Sequence, residues 1–249
     1  MQYGICNLSI VPLRVEPNDP CELVSQVLYG EIFKVLEQRK SWSRIRLAYD
    51  KYEGWIDNKQ YLEITEDDYK SIKDQVHLLS NDLVEYIEDE NQQLSTIPLG
   101  ASLNSLNLLK HTFDGNTTSV KQPKENLIKT AFKYLNAPYL WGGKTPFGID
   151  CSGLTQMVYK LNGYNLLRDA SQQATQGTAL SFIEESEPGD LAFFDNSEGQ
   201  IIHVGIIMED NYIIHAHGKV RIDRLDHSGI YNIDKKMHTH KLRVIKKII

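Results

Sequence analysis

Cysteine is scarce in this sequence of 249 residues, which contains only Cys6, Cys21 and Cys151. An odd and sparse set of cysteines does not make a disulfide framework, so a buried core must stabilise the fold. A chain of this length can bury such a core, and its length allows one or two domains. Hydrophobic residues make up 41% and charged residues 24%, which are globular values and exclude wholesale disorder.

Long hydrophobic runs are also missing. No apolar stretch approaches the ~18 residues of a membrane helix, and the N-terminus lacks the charged start and apolar core of a signal peptide. Basic residues are the minority, with 27 Lys and Arg against 33 Asp and Glu. That balance argues against nucleic acid or an anionic membrane as the main partner. We therefore expect no nucleic-acid partner, no membrane partner and a cytoplasmic location.

The first 65 residues have the pattern of a small β-barrel or sandwich, because short β-branched and aromatic stretches alternate with turn formers. The predicted strands are Ser9–Val15, Ile32–Glu37, Ser43–Leu47 and Gly54–Ile56. A helix with its cap at Thr65 is predicted next, because apolar residues recur at steps of three and four. They are Tyr69, Ile72, Val76 and Leu79. Residues 81–120 show no clear period, and we expect a small β-rich connector there.

The rest of the chain is predicted to be an α+β domain, because helices come first and strands follow. The predicted helices run from Lys124 to Leu135 and from Cys151 to about Leu161. The predicted strands are Leu191–Asp195, Ile202–Met208, Tyr212–Ala216 and the tail from His240 to Ile249. The domains are therefore predicted as 1–65, a connector over 66–120, and 121–249.

Cys151 is the most informative single residue. It follows a glycine-rich loop and opens a predicted helix. A helix N-terminus favours an anion, which would lower the pKa of the thiol and raise the thiolate fraction. A thiolate is the nucleophile of cysteine catalysis. The alternative is a buried cysteine with a structural role.

Two histidines could supply the base that such a nucleophile needs and the group that orients the base. If the loop between their strands is Glu209–Asn211, Gly205 lies opposite His215, and His203 becomes its diagonal neighbour on one face. A two-residue loop would place the two histidines on opposite faces. The alternative is a core histidine and a surface histidine without a catalytic role.

A zinc site is a competing use of these side chains. Its ligands would be Cys151, His203, His215 and His217. The spacing lacks the local Cys-x-x-Cys or His-Glu-x-x-His pairs that zinc sites usually have. We therefore predict no metal and no cofactor.

Four segments occur together in the order known from one family. They are Tyr139 to Leu154, Glu187 to Phe194, Ile202 to Ile206, and Ile214 to Ala216. They resemble the nucleophile segment, the next signature and the two histidine strands of the NlpC family. The members of that family are papain-like cysteine peptidases acting on bacterial cell-wall peptides. The resemblance begins near Pro123 and implies a papain-like α+β catalytic domain.

The resemblance also implies roles for individual residues. Cys151 would be the nucleophile, His203 the general base, and His215 the group that orients its imidazole. Tyr139 would lie near the oxyanion, beside the Cys151 backbone N–H, where a donor acts on charge that develops only in the transition state. Core packing is the alternative role for Tyr139.

The segment around Tyr52, with Gly54-Trp55-Ile56 after it, resembles the end of a bacterial SH3-like domain. The predicted fold is therefore an N-terminal SH3-like small β-barrel plus a C-terminal papain-like α+β domain. This arrangement resembles the γ-D-glutamyl-L-diamino acid endopeptidases. In those enzymes the SH3-like domain closes one end of the cleft, so that only peptides with a free N-terminal L-alanine fit.

That resemblance implies a set of substrate-binding residues. The amine would be bound by Glu16, Tyr52 and Asp169, since carboxylates and a phenol suit an ammonium group. The region of the D-glutamate α-carboxylate would be held by Asp150 and Ser152, and Trp141 would line the pocket. Glu16 could instead be a solvated loop charge, and Asp169 could cap a helix. Ala170 stands where some members have serine, which removes one contact to the glutamate.

The function implied is hydrolysis of the γ-D-glutamyl–diamino acid bond in murein peptides with a free N-terminal L-Ala, by a thioester route, in peptidoglycan recycling. One alternative is a wall-peptide binding module with an inactive site. Another is an amidase or acyltransferase on the same fold. The sequence leaves the diamino acid open between meso-diaminopimelate and lysine.

Overall fold

The structure, a computed structural model, describes residues 2–249 and is built mainly from antiparallel strands. The chain divides into two units. The first unit runs up to Lys121 and also contains Trp141–Pro146, whereas the second contains Gln122–Leu140 and Phe147–Ile249. The chain therefore passes between the units three times.

A bent seven-stranded sheet forms the barrel of the first unit. Its strands are β1 (Gln2–Ile5), β2 (Ile10–Arg14), β3 (Leu23–Leu28), β4 (Ile32–Gln38), β5 (Trp42–Leu47), β6 (Glu53–Asp57) and β7 (Leu62–Ile64). They pair in the order β3-β2-β6-β5-β4-β1-β7. In β5, Ile45 and Leu47 point inward whereas Arg44 and Arg46 are exposed, as the period of two requires. The four strands expected here are confirmed as β2, β4, β5 and β6, and β1, β3 and β7 are additional.

Helix α1 (Glu66–Lys73) follows the barrel. The Thr65 hydroxyl accepts from the Asp68 backbone amide at 3.1 Å, and the Asp68 carboxylate accepts from the Thr65 amide at 3.3 Å. This capping box confirms the start of the helix. The predicted continuation to Leu79 is wrong. The polar run after Ile72 ends the helix, Val76 is 71% exposed, and Leu79 lies in a strand.

Short strands and one short helix complete this part of the first unit. They are β8 (Leu79–Ser80), β9 (Val84–Glu88), β10 (Leu94–Pro98), α2 (Leu106–Leu109), β11 (Thr112–Phe113) and β12 (Thr117–Thr118). Strands β10, β9 and β11 form one sheet, and β12 pairs with β8. Ile87, Ile97 and Leu103 pack with Tyr29 of the barrel in one buried cluster. Within residues 2–249, no helix has both the length and the apolar character needed to cross a membrane.

The segment Trp141–Pro146, which includes β13 (Lys144–Thr145), is held in the first unit by polar contacts. The Lys144 backbone amide donates to Gln26 Oε1 at 2.7 Å. The Lys144 ammonium is fully buried and lies 3.4 Å from Glu31 Oε1. Gly142 has φ of +77°, and a Cβ there would lie 2.5 Å from the Leu23 carbonyl oxygen, so only glycine fits.

The second unit has three helices and a sheet. Its elements are α3 (Asn126–Phe132), β14 (Gly148–Ile149), α4 (Cys151–Leu161), α5 (Ala170–Gln173), β15 (Thr178–Leu180), β16 (Leu191–Asp195), β17 (Ile201–Ile207), β18 (Tyr212–His217), β19 (Lys219–Asp226), β20 (Gly229–Asn232) and β21 (Met237–Lys247). The sheet order is β15-β21-β16-β17-β18-β19-β20, and β20 also pairs with β21. Six strands therefore close into a ring, against which α4 packs through β17 and β18.

The fold class predicted from the sequence, a small β-barrel plus an α+β domain, is confirmed. The helix over Cys151–Leu161 and the strand over Leu191–Asp195 have the predicted bounds. Helix α3 is shorter than predicted, and β14, β15, β19 and β20 are strands that the sequence analysis did not predict. In the described part of the chain, three short 3-10 helices occur at Asn58–Gln60, Ile183–Glu185 and Glu209–Asn211.

Candidate active site

Cys151 is the first residue of α4, and the residue before it starts the helix. Asp150 has extended backbone angles, and its Oδ1 accepts from the Gly153 backbone amide at 2.6 Å. This is an N-cap, which ends the loop and places the next side chain at the positive end of the helix. All residues of α4 are buried, and Cys151 is 6% exposed. The thiol therefore has a fixed position against β17.

Arg168 forms a buried ion pair beside Cys151. Its Nη2 donates to Asp150 Oδ2 at 2.7 Å, and its Nη1 donates to Asp150 Oδ1 and to Ser152 Oγ, each at 3.0 Å. The guanidinium is 1% exposed. Asp150 and Ser152 are thus joined by a cation that the sequence analysis did not single out. A guanidinium at this place has the geometry that recognises carboxylates.

The environment of Cys151 disfavours the thiolate when no substrate is bound. Burial, and after it the charge of Asp150, raise the pKa of the thiol to about 12, although backbone hydrogen bonds at Val204 and Ser152 and the charge of Arg168 act in the opposite direction. The lowered pKa expected from the helix N-terminus is therefore wrong. The helix contributes only partial charge, whereas desolvation acts on the whole thiolate charge.

The two predicted histidines lie where the three-residue loop would place them. Residues Glu209–Asn211 form the loop, and Gly205 lies opposite His215. His203 and His215 are therefore diagonal neighbours on one face, as predicted. His203 is 5% exposed and His215 is fully buried, so the alternative of a surface position for His215 is wrong.

A row of hydrogen bonds links these histidines to a carboxylate. His203 Nε2 lies 2.8 Å from His215 Nδ1, and His215 Nε2 lies 3.1 Å from Asp223 Oδ2. Burial lowers the pKa of both imidazoles, so they are neutral. A carboxylate only accepts, so His215 Nε2 must donate, and its Nδ1 must accept from His203 Nε2. The ring nitrogen of His203 left free to take a proton is Nδ1.

Asp223 is held ionised by its neighbours. Burial alone would raise the pKa of this carboxyl, but hydrogen bonds from His215, Arg221 and the Ile233 amide lower it well below its usual range. Arg221 donates from Nε to Oδ2 at 2.6 Å and from Nη2 to Oδ1 at 2.8 Å. Sequence analysis missed Asp223 and Arg221, because no motif marks them. They reach His215 only through the register of β18 and β19.

Gly205 makes the close approach of the histidine strands possible. A Cβ at this position would lie 3.0 Å from His215 Cβ and 2.7 Å from Ile213 Cδ1. Any larger residue would displace one of them. Gly205 therefore leaves the room that His203 and His215 need for their hydrogen bond.

A third histidine lies against this pair. His240 of β21 stacks on His203 with ring centroids 4.2 Å apart, and the ring of His217 lies edge-on to it at 4.8 Å. One ring nitrogen each of His203, His215 and His240 lies within 4.8 Å of the other two. Among the described residues this is the group able to hold a metal ion. His203 and His215 also belong to the set of zinc ligands considered from the sequence. His240 is an additional member, and Cys151 and His217 are not part of this group.

The remaining predicted site residues of the second unit are Tyr139, which interacts electrostatically with Cys151, and Asp169, which caps a helix. Burial raises the pKa of Tyr139, and the charges of Cys151 and Asp150 raise it further, so the phenol is protonated and close to both groups. Asp169 is the N-cap of α5, and its backbone amide donates to Gln172 Oε1 at 3.1 Å. Asp169 therefore occupies the helix-cap position that the sequence analysis gave as its alternative role. Its binding of an amine stays a prediction.

Three predicted substrate-binding residues belong to the first unit. Glu16 is exposed in the loop after β2, and Tyr52 is partly buried against the barrel core. Trp141 is 58% exposed, and its Nε1 donates to Glu22 Oε1 at 2.7 Å. The roles of Glu16, Tyr52 and Trp141 in substrate binding stay predictions.

Comparison with known proteins agrees with this geometry. Residues 136–241 match the model of the NlpC/P60 family, and residues 13–60 match the bacterial dipeptidyl-peptidase SH3 domain. The chain is 30% identical over 217 residues to the gamma-D-glutamyl-L-lysine dipeptidyl-peptidase of Bacillus subtilis, covering 77% of this chain and 71% of that protein. The chain belongs to the NlpC/P60 family. It is a cysteine peptidase with an SH3-like barrel in the first unit and a papain-like second unit.

Two further proteins match nearly the whole chain. Dipeptidyl-peptidase 6 of Lysinibacillus sphaericus is 26% identical over 253 residues, covering 86% of this chain and 88% of that protein. The crystal structure of an NlpC/P60 family protein from Bacillus cereus has a TM-score of 0.77 at 18% identity, with 99% of each chain covered. At that identity the structural likeness shows a shared fold.

Proposed function

We propose that this peptidase hydrolyses the γ-D-glutamyl–diamino acid bond of murein peptides that carry a free N-terminal L-alanine. The observation that carries the proposal is the row from His203 through His215 to Asp223, beside a buried cysteine at a helix N-terminus. The names of the relatives, dipeptidyl-peptidase 6 and gamma-D-glutamyl-L-lysine dipeptidyl-peptidase, support the class of substrate.

The reaction begins from a neutral thiol and a neutral imidazole. As Cys151 Sγ attacks the γ-carbonyl carbon, its proton moves to His203 Nδ1, the acceptor that the hydrogen bonds leave free. The imidazolium then gives this proton to the departing amine, and a thioester remains. Water hydrolyses the thioester and releases L-Ala-D-Glu. His215 and Asp223 stabilise the positive charge that His203 carries in between.

Two groups assist this chemistry. Tyr139 stays protonated because burial raises its pKa, so its hydroxyl can donate to the oxyanion together with the Cys151 backbone amide. One such donor contributes on the order of 3 kcal/mol to transition-state stabilisation. The Asp150–Arg168–Ser152 cluster supplies a fixed cation and a hydroxyl for the α-carboxylate of the D-glutamate.

The first test is hydrolysis of two tripeptides, L-Ala-γ-D-Glu-meso-diaminopimelate and L-Ala-γ-D-Glu-L-lysine, with products identified by mass spectrometry. We expect the wild type to release L-Ala-D-Glu from at least one of them, and Cys151→Ala to release none. The relative rates decide the diamino acid. Cleavage of a different amide bond would contradict the proposal and favour the alternative of an amidase on the same fold. Full activity of Cys151→Ala would contradict the mechanism.

A second test concerns the amine, for which the resemblance supplies Glu16, Tyr52 and Asp169. We expect acetylation of the alanine amine to abolish cleavage, because the acetylated nitrogen carries no charge and can no longer pair with a carboxylate. Undiminished cleavage of the acetylated peptide would remove recognition of the amine from the proposal. The role in recycling and the cytoplasmic location stay predictions. Assay of cell fractions for this activity tests the location.

A further inference from the structure

The three neighbouring histidines have an arrangement that the peptidase reaction does not need. His203 and His215 are already joined by a hydrogen bond, yet His240 stacks on His203 at 4.2 Å with an angle of 23° between the rings. Its Nδ1 lies 2.9 Å from the Thr239 hydroxyl, which fixes the ring. His240 is part of β21 and lies outside the segments that resemble the family's signatures.

The spacing of the ring nitrogens suits a tetrahedral metal ion. With Zn–N bonds of about 2.0–2.1 Å, two ligand nitrogens lie roughly 3.3 Å apart. His203 Nε2 and His215 Nδ1 are 2.8 Å apart, and all three nitrogens lie within 4.8 Å. Binding therefore requires the His240 ring to turn out of its stack on His203, so that its nitrogen faces the other two. Imidazole is a ligand that zinc accepts readily, and three protein ligands leave the fourth position open for water.

The surroundings also resemble those of a zinc ligand. Asp223 accepts from His215 Nε2 at 3.1 Å, which leaves the lone pair of His215 on Nδ1, facing His203. Metal-ligating histidines almost always have such a carboxylate or carbonyl on their other nitrogen. Asp223 itself is held by Arg221, so the orientation of His215 is fixed before any ion binds.

We propose that His203, His215 and His240 bind a Zn²⁺ ion and that this ion reversibly inhibits the peptidase. A neutral imidazole carries one proton. When zinc binds His203 Nε2, that proton must sit on Nδ1, the nitrogen that takes the proton of Cys151. The occupied enzyme therefore has no base. The inhibition rests on the proposed function, whereas the binding does not.

Binding is tested on Cys151→Ala, which removes the thiol as a ligand. Zinc affinity is measured by competition with a chromophoric chelator. We expect Cys151→Ala to bind one Zn²⁺ per chain, and the further change His240→Asn to weaken binding at least tenfold. His238→Asn is the matched control, because His238 is on the same strand, pairs with Asp226 at 2.8 Å and lies outside the cluster. Its affinity should equal that of Cys151→Ala.

Cobalt distinguishes this site from an ordinary thiol site in the wild type. We expect Co²⁺ to give the visible absorption of a tetrahedral nitrogen-ligated ion without a thiolate charge-transfer band. Such a band, or loss of binding in Cys151→Ala, would show that the cysteine is the ligand and would overturn the proposal. Because neither measurement needs turnover, both remain decisive even if the proposed substrate is not cleaved.

Inhibition is tested with the tripeptide substrate that the enzyme cleaves. We expect Zn²⁺ to stop the wild type and a chelator to restore it. Each variant is compared with its own zinc-free rate, and His240→Asn should need at least tenfold more Zn²⁺ for half inhibition, whereas His238→Asn should not. Equal zinc sensitivity of His240→Asn and the wild type would contradict the proposal, since zinc would then act without His240.

Discussion

Asp223 decides which nitrogen of His203 can act as a base. Its carboxylate fixes the proton of His215 on Nε2, and the acceptor of His215 in turn fixes the proton of His203 on Nε2. A single charge, eight residues beyond His215 in the chain, thereby sets the tautomer of a side chain that it does not touch. Asp223 is a positioning residue in the proposed mechanism.

Asp223→Asn tests this role. The asparagine amide can donate to His215 Nε2, which reverses the order of donors and places the proton of His203 on Nδ1. We expect kcat to fall at least tenfold, about 1.4 kcal/mol in the barrier, with KM changed much less. Asp226→Asn is the control, because Asp226 is on the same strand but pairs with His238. A rise in KM with unchanged kcat would point to a structural role only.

The raised pKa of Cys151 predicts its reaction with iodoacetamide. Only the thiolate reacts, so with a pKa of about 12 the rate should be far below that of a free thiol at pH 7. It should rise about tenfold for each pH unit up to pH 10, whereas a free thiol with a pKa of ~8.5 levels off. Peptide mapping follows each cysteine, and the partly exposed Cys21 is the internal reference. A plateau for Cys151 below pH 8 would contradict the raised pKa.

Sequence could predict those site residues that lie in local patterns. Cys151 follows a glycine-rich loop at a helix start, and the register of His203 and His215 follows from one loop length. Arg168, Asp223 and His240 have no such pattern, because helix and strand packing brings them to the site from separate segments. The raised pKa of the Cys151 thiol could not be predicted from the sequence either, because it depends on burial in the folded unit.

Strand β17 illustrates how one element sets the geometry of the site. It carries His203 and Gly205 on one face, and β18 places His215 opposite the glycine. The strand itself could be predicted from its nearly continuous apolar run, which is typical of a strand with both faces buried. Strand β19 was missed because its inward face is polar, with Arg221 and Asp223 preceding Leu225. A buried polar face hides the period that otherwise marks a strand.

Gly205→Ala tests the close approach of β17 and β18. The added Cβ would lie 3.0 Å from His215 Cβ, so we expect His215 to shift and kcat to fall about tenfold or more. Ile206→Val is the control, because it removes a buried methylene from the same strand at a cost of about 1 kcal/mol. Thermal unfolding and kcat are measured on both. If Gly205→Ala keeps full kcat, the space at this position does not matter for the histidine pair.

At the scale of the whole molecule, the path of the chain links the first unit to the segment that leads to the nucleophile. Residues Trp141–Pro146 belong to the first unit, although the chain on either side belongs to the second. The segment is fixed by its backbone hydrogen bond to Gln26 and by the buried pair of Lys144 with Glu31. Order in the first unit therefore constrains the chain shortly before Cys151.

Gln26→Ala tests whether this constraint matters for catalysis. Losing the 2.7 Å hydrogen bond to the Lys144 amide should lower the free energy of unfolding by about 1 kcal/mol. If the segment must be ordered for the Cys151 loop to be positioned, kcat/KM should fall about fivefold as well. Gln38→Ala is the matched control, since within residues 2–249 the side chain of this barrel glutamine bonds only to the exposed side chains of Gln2 and Glu63. Loss of stability with unchanged kcat/KM would limit the segment to a structural role, because the position of Cys151 would then be set by the second unit alone.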